Sequence, residues 1–182
     1  MASEPGRLGG GGTVDPTPRH TVVPSELPAL LGAHLRAQPY LIPRGSKIVV
    51  ALSGGPDSTA LLYLLSEVAA GLDLRLEAAH FDHQVRPGSE ADGTWANEVA
   101  SKLGIPCHLG ASATPGTAKQ ASLRDARYRW LEGLVRERNA DRLAVGHHAD
   151  DQAETVLFRL MRGADLRGLA GMPARRGPIV RP

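Results

Sequence analysis

Cysteine is almost absent from this chain: Cys107 is the single cysteine among 182 residues. An internal disulfide is therefore excluded, and a reducing cytoplasm is the simplest compartment. No apolar run reaches the length of a membrane span, and no charged start followed by an apolar stretch marks a signal peptide. We therefore expect a cytoplasmic protein that does not work at a membrane.

Lysine is also scarce, because Lys47, Lys102 and Lys119 are the only three among 21 basic residues and the other 18 are arginines. Several arginines gather in 124–138 and 159–181, and the planar guanidinium suits phosphate contacts. The formal net charge is only +2. An arginine-rich proteome would give the same bias, and charged helix faces are usually solvated, so charge alone leaves nucleic-acid binding open.

The composition predicts one domain preceded by an arm. A chain of 182 residues with 42% hydrophobic content can bury one sizeable core but not two. Residues 1–24 are rich in Gly and Pro and lack apolar periodicity, so we predict a disordered arm there and a single domain over 25–182.

Strand and helix patterns alternate along that domain. Helices are predicted at 27–36, 57–70, 89–103, 119–139 and 150–162, and strands at 48–52, 74–81, 105–109 and 142–145, with a turn-rich segment at 110–116. Such alternation predicts an α/β fold with a mostly parallel sheet and helices on both faces.

A glycine-containing loop follows the first strand and opens the second helix. It consists of Ser53, Gly54, Gly55, Pro56, Asp57 and Ser58. Glycine permits positive φ and close approach of backbone amides to an anion, while the helix dipole favours negative charge at this end. The Lys-Ser/Thr ending of a Walker A loop is missing, and so is G-x-G-x-x-G. The plain alternative is a tight turn between strand and helix.

Three polar segments follow strands of this sheet. The loop ends the first strand, Asp82 and His83 follow the second, and 146–151 follows the strand at 142–145, which we take as the last. Ligands of such sheets bind beyond the carboxyl ends of the strands, so we expect these segments to share one cleft.

These residues carry a family resemblance. The loop matches the S-G-G-x-D-S signature of the N-type ATP pyrophosphatases, or PP-loop enzymes. Three further blocks resemble tRNA(Ile)-lysidine synthetases in particular, so that the resemblance spans residues 48–172. They are H-x-D-H-x-x-R-P from His80, R-x-x-R-Y from Arg124, and G-H-H-x-D-D from Gly146 leading into R-G-A-D-L-R-G-L-A-G-M from Arg162.

The resemblance implies the fold of the adenine nucleotide alpha hydrolase-like group, with ATP and Mg²⁺ as cofactors. It implies a ligase that adenylates the oxygen on C2 of the wobble cytidine in the CAU anticodon of tRNA(Ile) and then joins free L-lysine to C2 with release of AMP, forming lysidine. The implied partners are this tRNA and lysine, with no membrane, and a homodimer stays open.

The resemblance also assigns residues. Ser53 to Ser58 would hold the ATP phosphates. Catalysis would fall to Asp57, Arg124 and Asp151, with Asp57 and Asp151 as metal-linked groups. Contacts to the substrate are expected from His83, Arg86, Arg127, His147 and His148.

Alternatives stand beside these roles. The histidines could form a zinc cluster, but they lack a closed tetrahedral spacing. Arg124 could form a surface salt bridge. Trp95 and Trp130 are expected in the core, and Cys107 is expected to be a buried strand residue, not a reactive thiol.

The chain departs from the family pattern in two places. Gln120 stands where relatives often carry glutamate, and the sequence ends at Pro182 where relatives continue, so we expect a truncated catalytic domain. Two other functions therefore stay open. A PP-loop tRNA thiolase is disfavoured by the single cysteine, whereas a nucleotide-binding module or inactive fragment would differ by releasing no pyrophosphate.

Overall fold

The computed structural model describes residues 26–85, 88–112, 120–146 and 173–182. Helices and strands alternate along these ranges. The helices are α1 (Leu27–Ala37), α2 (Pro56–Leu72), α3 (Glu90–Lys102) and α4 (Gln120–Glu137), and the strands are β1 (Lys47–Leu52), β2 (Arg75–Asp82), β3 (Cys107–Ala111), β4 (Arg142–Val145), β5 (Arg175–Arg176) and β6 (Ile179–Val180).

The strands form one sheet in the order β3-β2-β1-β4-β6-β5. All neighbouring pairs are parallel except β5 and β6, which are antiparallel. The predicted mostly parallel sheet is thus confirmed. The order reverses direction at β1, because β2 and β3 lie on one side of it and β4 and β6 on the other.

Helices cover both faces of the sheet, as predicted. Ile48 and Val50 of β1 are completely buried against α1, α2 and α3, whereas the intervening Val49 is completely buried against α4. A strand buried on both faces shows the continuous apolar run that β1 has, because neither set of alternate side chains meets water.

The strand β3 begins two residues later than predicted, at Cys107. Ile105 is buried, but its N–H donates to Ala100 O at the end of α3, and Pro106 has no N–H to give to a ladder. The Pro106 carbonyl does accept a hydrogen bond from Ala78 N–H at 2.7 Å. The chain therefore joins the sheet only after the proline.

The prediction that 142–145 is the last strand was wrong. The hairpin of β5 and β6 continues the sheet beyond β4, and β6 pairs parallel with it through Leu143 with Ile179 and Ala144 with Val180. Two-residue strands give no periodicity to detect. The Gly177-Pro178 turn between them, with Gly177 at φ +59°, was the available signal.

Parts of the predicted organisation lie outside the described residues. They are the arm at 1–24, most of the turn-rich segment at 110–116 and the helix at 150–162. Among the residues that the structure does describe, no helix is long and apolar enough to span a bilayer.

Both tryptophans pack against the core, which agrees with the prediction. Trp95 lies against the α1–α3 side and Trp130 against the α4 side. Trp130 lies so close to Gly110 of β3 that a Cβ added there would overlap the indole ring. Cys107 is half-buried instead of fully buried, and burial raises the pKa of its thiol, which keeps it unreactive at neutral pH.

A buried carboxylate anchors the α4 side of the sheet. Glu77 of β2 is 6% exposed and contacts Lys47 Nζ at 2.8 Å, His108 Nε2 at 2.8 Å and Arg138 Nε at 3.0 Å. Hydrogen bonds from Arg138, followed by those from Lys47 and His108, outweigh burial and lower the Glu77 pKa to about 2. This cluster ties β1, β2 and β3 to the end of α4.

Replacing Glu77 by glutamine should destabilise the fold in a pH-dependent way. Because the folded-state pKa is lowered from 4.5 to about 2, the carboxylate stabilises the fold fully above pH 4.5, and this contribution is lost as the pH falls towards 2. We expect Glu77→Gln to lower the free energy of unfolding by about 3 kcal/mol at pH 7 and by less than half as much at pH 3. Urea denaturation measures both.

The exposed Glu98 of α3 provides the control for that experiment. Glu98→Gln removes one charge from a helix surface and should change the free energy of unfolding by no more than about 0.5 kcal/mol. A destabilisation by Glu77→Gln that is equal at pH 7 and pH 3 would contradict the electrostatic account.

Candidate functional site

The loop between β1 and α2 is held in shape by Ser58. This residue is 3% exposed, and its hydroxyl accepts hydrogen bonds from Ser53 N–H and Ser53 Oγ, each at 3.1 Å. The same hydroxyl donates to Gly55 O at 3.0 Å. Its single proton is thus used within the loop, so Ser58 braces the loop while Ser53 lies exposed at its surface.

The two glycines of the loop differ in conformation. Gly54 has φ +87°, in the region that glycine enters without strain. Gly55 does not share it: its φ is −90° and its ψ is 162°, so it is extended and forms the N-cap of α2. A glycine cap offers no side-chain oxygen, and Pro56 in the first turn needs no hydrogen-bond acceptor. A helix start of this kind is a common binding place for an anion.

The end of β4 packs directly onto this turn. A Cβ added at Gly146 would lie 2.8 Å from Ser58 N, 2.9 Å from Ser58 Cα and 3.0 Å from Asp57 C. These are backbone atoms, which cannot rotate away. Glycine is therefore required at 146 for the strand end and the helix start to meet.

A histidine near the end of β2 bonds to the last residue of β1, which precedes the loop. His80 is 4% exposed, and its Nδ1–H donates to Leu52 O at 3.0 Å. Two residues on, Asp82 accepts from Gln84 N–H at 2.7 Å and from Ser89 Oγ at 2.9 Å. These bonds fix the turn after β2, in which Gln84 has φ +53°, beside the first loop residue.

Two cavities meet at Ser53. The larger, about 320 Å³, lies between the loop and the end of β2. Its lining comprises Ser53, His80, Phe81, Asp82, His83, Val85, Ser89 and Asp92. The smaller, about 60 Å³, lies between the loop and α4 and is lined by Ala51, Ser53, Ser58, Arg127, Tyr128, Leu131, Val145 and Gly146.

Two arginines of α4 flank one tyrosine. The guanidinium carbon of Arg124 lies 5.6 Å from the centroid of the Tyr128 ring, and that of Arg127 lies 5.3 Å from it. Both distances are within the range of cation–π attraction. Arg127 borders the small cavity beside the loop, and both arginines border a further cavity of about 270 Å³ that also includes His83.

His83 is placed between these groups. Burial, and after it the positive charge of Arg127, lower the pKa of His83 below its ordinary value. The imidazole is therefore neutral at pH 7. Its ring stands edge-on to Phe81 with centroids 5.2 Å apart, so that an uncharged donor and acceptor lies beside two permanent cations.

The structure brings most of the described predicted residues together. Ser53, Ser58 and Arg127 line one cavity, Ser53 and His83 a second, and His83, Arg124 and Arg127 a third. Asp57 is exposed in the first turn of α2. The remaining predicted residues, Arg86, His147, His148 and Asp151, lie outside the described ranges.

Sequence reasoning missed the roles of three residues. Tyr128 was noted only as part of R-x-x-R-Y, although its ring orients both arginines. The need for glycine at 146 depends on a contact between distant segments and leaves no local signal. Arg181, considered below, depends on the unpredicted β6.

The residues that are described provide no ready-made metal site. No group of three or more His, Cys, Asp or Glu among them could hold an ion. A histidine zinc cluster therefore finds no support in this part of the chain.

Gly146→Ala should disturb the loop directly. The added methyl would press on the backbone of Asp57 and Ser58, so we expect a loss of about 1–3 kcal/mol in the free energy of unfolding and weaker anion binding at the loop. Denaturation and pyrophosphate titration measure the two effects. Gly71→Ala in α2 is the matched control, because nothing lies within 4 Å of its added Cβ. Equal behaviour of the two variants would refute the close-contact argument.

Comparison with known proteins agrees with this geometry. Residues 33–182 match the family model of the PP-loop domain. The chain is 41% identical over 149 residues to tRNA(Ile)-lysidine synthase of Chlorobaculum tepidum, covering 78% of this chain and 45% of that protein. It is 42% identical over 146 residues to the same enzyme of Gloeobacter violaceus, covering 80% and 45%. The chain thus spans less than half the length of these curated relatives.

Solved structures share the fold at low sequence identity. The U34-tRNA thiolase NcsA of Methanococcus maripaludis, solved with its [4Fe-4S] cluster, superposes with a TM-score of 0.69 at 21% identity, covering 86% of this chain and 58% of that one. NH3-dependent NAD synthetase of Campylobacter jejuni gives 0.51 at 14% identity, covering 82% and 65%. With its braced loop, its sheet order and the family match over 33–182, the chain belongs to the PP-loop domain family.

Proposed function

We propose that this chain is the catalytic part of a tRNA(Ile)-lysidine synthetase. The enzyme would use ATP to join free L-lysine to C2 of the wobble cytidine in the CAU anticodon of tRNA(Ile). The observation that carries the proposal is the convergence of Ser53, Arg127 and His83 around the loop in a chain 41–42% identical to named lysidine synthases. A cytoplasmic location follows from this substrate.

The loop would hold the phosphates of ATP. Its support is the glycine-capped start of α2, where the cap has no side-chain oxygen to occupy the anion position. Ser53 is exposed, and its hydroxyl could turn from Ser58 Oγ to a bound phosphate, whereas Ser58 is buried and bonds to Gly55 O. The neighbouring cavity of about 320 Å³ would take the nucleoside portion.

Magnesium fits the exposed carboxylate at the loop. Mg²⁺ is commonly held in proteins by one or two carboxylates together with substrate phosphates. Asp57 lies in the first turn of α2, where a phosphate bound at the helix start would be its neighbour. Asp151 would be the second carboxylate. The ion would neutralise phosphate charge when bound.

The first step would form a bond between the C2 oxygen of cytidine and the α-phosphorus of ATP, while the bond to pyrophosphate breaks. Negative charge develops on the phosphorus oxygens and the leaving group, so preorganised cations lower the barrier. Arg127 borders the loop cavity, and Arg124 lies against the same tyrosine ring as Arg127. Stacking on Tyr128 restricts both guanidiniums before substrate arrives.

In the second step the lysine amine would attack C2, the carbon–oxygen bond to the adenylate would break, and AMP would leave. The amine must be unprotonated to attack, and it loses a proton afterwards. Water must be kept out, since it would hydrolyse the adenylate. His83, held neutral by burial, is a polar group beside the arginines that adds no further positive charge to repel an incoming ammonium.

A thiolase is the main competing function, since NcsA shares the fold. An iron–sulfur cluster is usually bound by several cysteine thiolates. This chain has one cysteine, and it lies half-buried in β3 with a raised pKa. The chain's own residues thus favour ligation over sulfur transfer.

Lysine incorporation tests the proposal. Radiolabelled lysine, ATP, Mg²⁺ and a transcript of tRNA(Ile) with the CAU anticodon are incubated with the chain, and label in RNA, AMP and pyrophosphate are measured together. Incorporation with equimolar AMP confirms the ligase. Pyrophosphate release without incorporation indicates adenylation alone, and release of neither indicates a binding module or an inactive fragment.

Asp57→Ala should lower the rate of ATP-dependent pyrophosphate release by at least about 100-fold. An exposed carboxylate at the loop interacts with the charges of the bound ligand and its metal ion and contributes little to packing. The thermal midpoint should shift little. Glu67→Ala, an exposed charge change on the same helix, should leave the release rate unchanged. Full activity in Asp57→Ala would remove this residue from the site.

A further inference from the structure

The hairpin of β5 and β6 places an arginine at the functional edge of the sheet. β6 runs parallel to β4, with Val180 opposite Ala144. Arg181, which follows β6, therefore lies at the level of Val145, the last residue of β4. The carboxyl ends of β1, β2 and β4 already form the site at this edge. Arg181 therefore extends the same edge towards α4.

A cavity of about 390 Å³ lies between the hairpin and α4. Three arginines line it, namely Arg124, Arg176 and Arg181, together with the carboxylates of Asp125 and Glu132. The lining therefore carries one more positive than negative charge. None of the loop residues 53–58 belongs to it, so it is separate from the predicted phosphate site of ATP.

Two residues of this lining each carry a buried polar atom with no hydrogen-bond partner among the described residues. They are Tyr128, with its hydroxyl, and Arg181, with Nε. Burying a donor without an acceptor is costly, so such groups usually mark a place where a ligand or water completes the bonding. The Arg181 Nε–H can only donate, so the missing partner must offer acceptor oxygens.

Arg181 is held in place by its other atoms. One of its terminal guanidinium nitrogens donates to Pro173 O at 2.8 Å, and its backbone N–H donates to Ala174 O at 2.8 Å. Arg124 is likewise restrained against the Tyr128 ring. Two restrained guanidiniums, one from α4 and one from the hairpin, in a lining that also includes Tyr128 suit an anion with several oxygens.

We infer that this cavity binds a phosphate group of the RNA substrate, with Arg181 and Tyr128 as its donors. The choice of RNA rests on the proposed function, because the ATP phosphates are expected at the loop, whose residues do not line this cavity. A phosphodiester offers acceptor oxygens to Arg181 Nε and the tyrosine hydroxyl at once. A bound phosphate here would fix the RNA strand beside the reacting centre.

The test is RNA binding in the absence of ATP and lysine, so that its result does not depend on ligase activity. Binding of the CAU-anticodon tRNA(Ile) transcript is measured over a range of salt for the full chain and for Arg181→Gln. We expect the Kd to rise about tenfold and the slope of log K against log salt to fall by about one. The Kd for ATP should stay within about twofold.

Two further variants control for structure and charge. Arg175→Gln removes the same charge from the neighbouring position of the hairpin, where the guanidinium bonds to Tyr40 O and Gly177 O. It should change RNA affinity by less than about twofold. Tyr128→Phe keeps the ring and removes only the hydroxyl, and should weaken RNA binding about threefold with no loss of thermal midpoint.

Several outcomes would overturn the inference. The first is failure of the unaltered chain to bind the transcript at low salt, and the second is an equal loss of RNA affinity in Arg181→Gln and Arg175→Gln. The third is weaker ATP binding in Arg181→Gln with RNA binding preserved, which would assign the phosphate to the nucleotide. If Arg181→Gln does not fold, Tyr128→Phe decides the matter, and unchanged RNA affinity in that variant counts against the site.

Discussion

The start of α2 is wedged between the ends of β1 and β4, and the site depends on this close packing. Ser58 bonds back to Ser53 and Gly55, while Gly146 leaves less than 3 Å between its missing Cβ and the Ser58 backbone. The Ser58 hydrogen bonds fix the conformation of the loop, and the contact with Gly146 fixes its position relative to β4. The backbone of the helix start is thereby held in one conformation before a ligand binds. Such preorganisation lowers the conformational entropy that binding would cost.

Stability and function are separated along the strands. The Glu77 cluster begins at Lys47, the first residue of β1, and reaches the end of α4. The loop follows the opposite end of β1. Lys47, His108 and Arg138 around one buried carboxylate stabilise the sheet without occupying the carboxyl edge. Polar groups at that edge therefore stay available to ligands. His83 and the α4 arginines can therefore remain partly unsatisfied without loosening the core.

Much of the fold follows from sequence pattern because the central strands are buried on both faces. Their unbroken apolar runs and the helices between them fix an α/β sheet, and the loop composition fixes where the ligand edge lies. What escaped prediction depends on three-dimensional geometry that leaves no pattern in the sequence. The hairpin of β5 and β6 is too short to show periodicity, Gly55 adopts an extended conformation where glycine alone suggested positive φ, and Ser58 carries a hydroxyl whose bracing role appears only once Gly55 and Ser53 surround it.

On the proposed function, the site would bind anions in two physically different ways. At the loop, backbone amides and a helix dipole form a rigid, compact receptor, which suits a chain of phosphates whose geometry never varies. Along α4 and β6, arginine side chains reach outward, restrained by Tyr128 and by the Pro173 carbonyl. An RNA strand presents its phosphates farther apart and in a less uniform arrangement, and side chains can adjust to that where backbone cannot. Tyr128 stands at the boundary, since it lines both the small cavity beside the loop and the cavity between the hairpin and α4. Movement of the RNA phosphate would therefore also displace the Arg127 guanidinium beside the loop. On this proposal, placement of the tRNA would be coupled to the reaction at the α-phosphate.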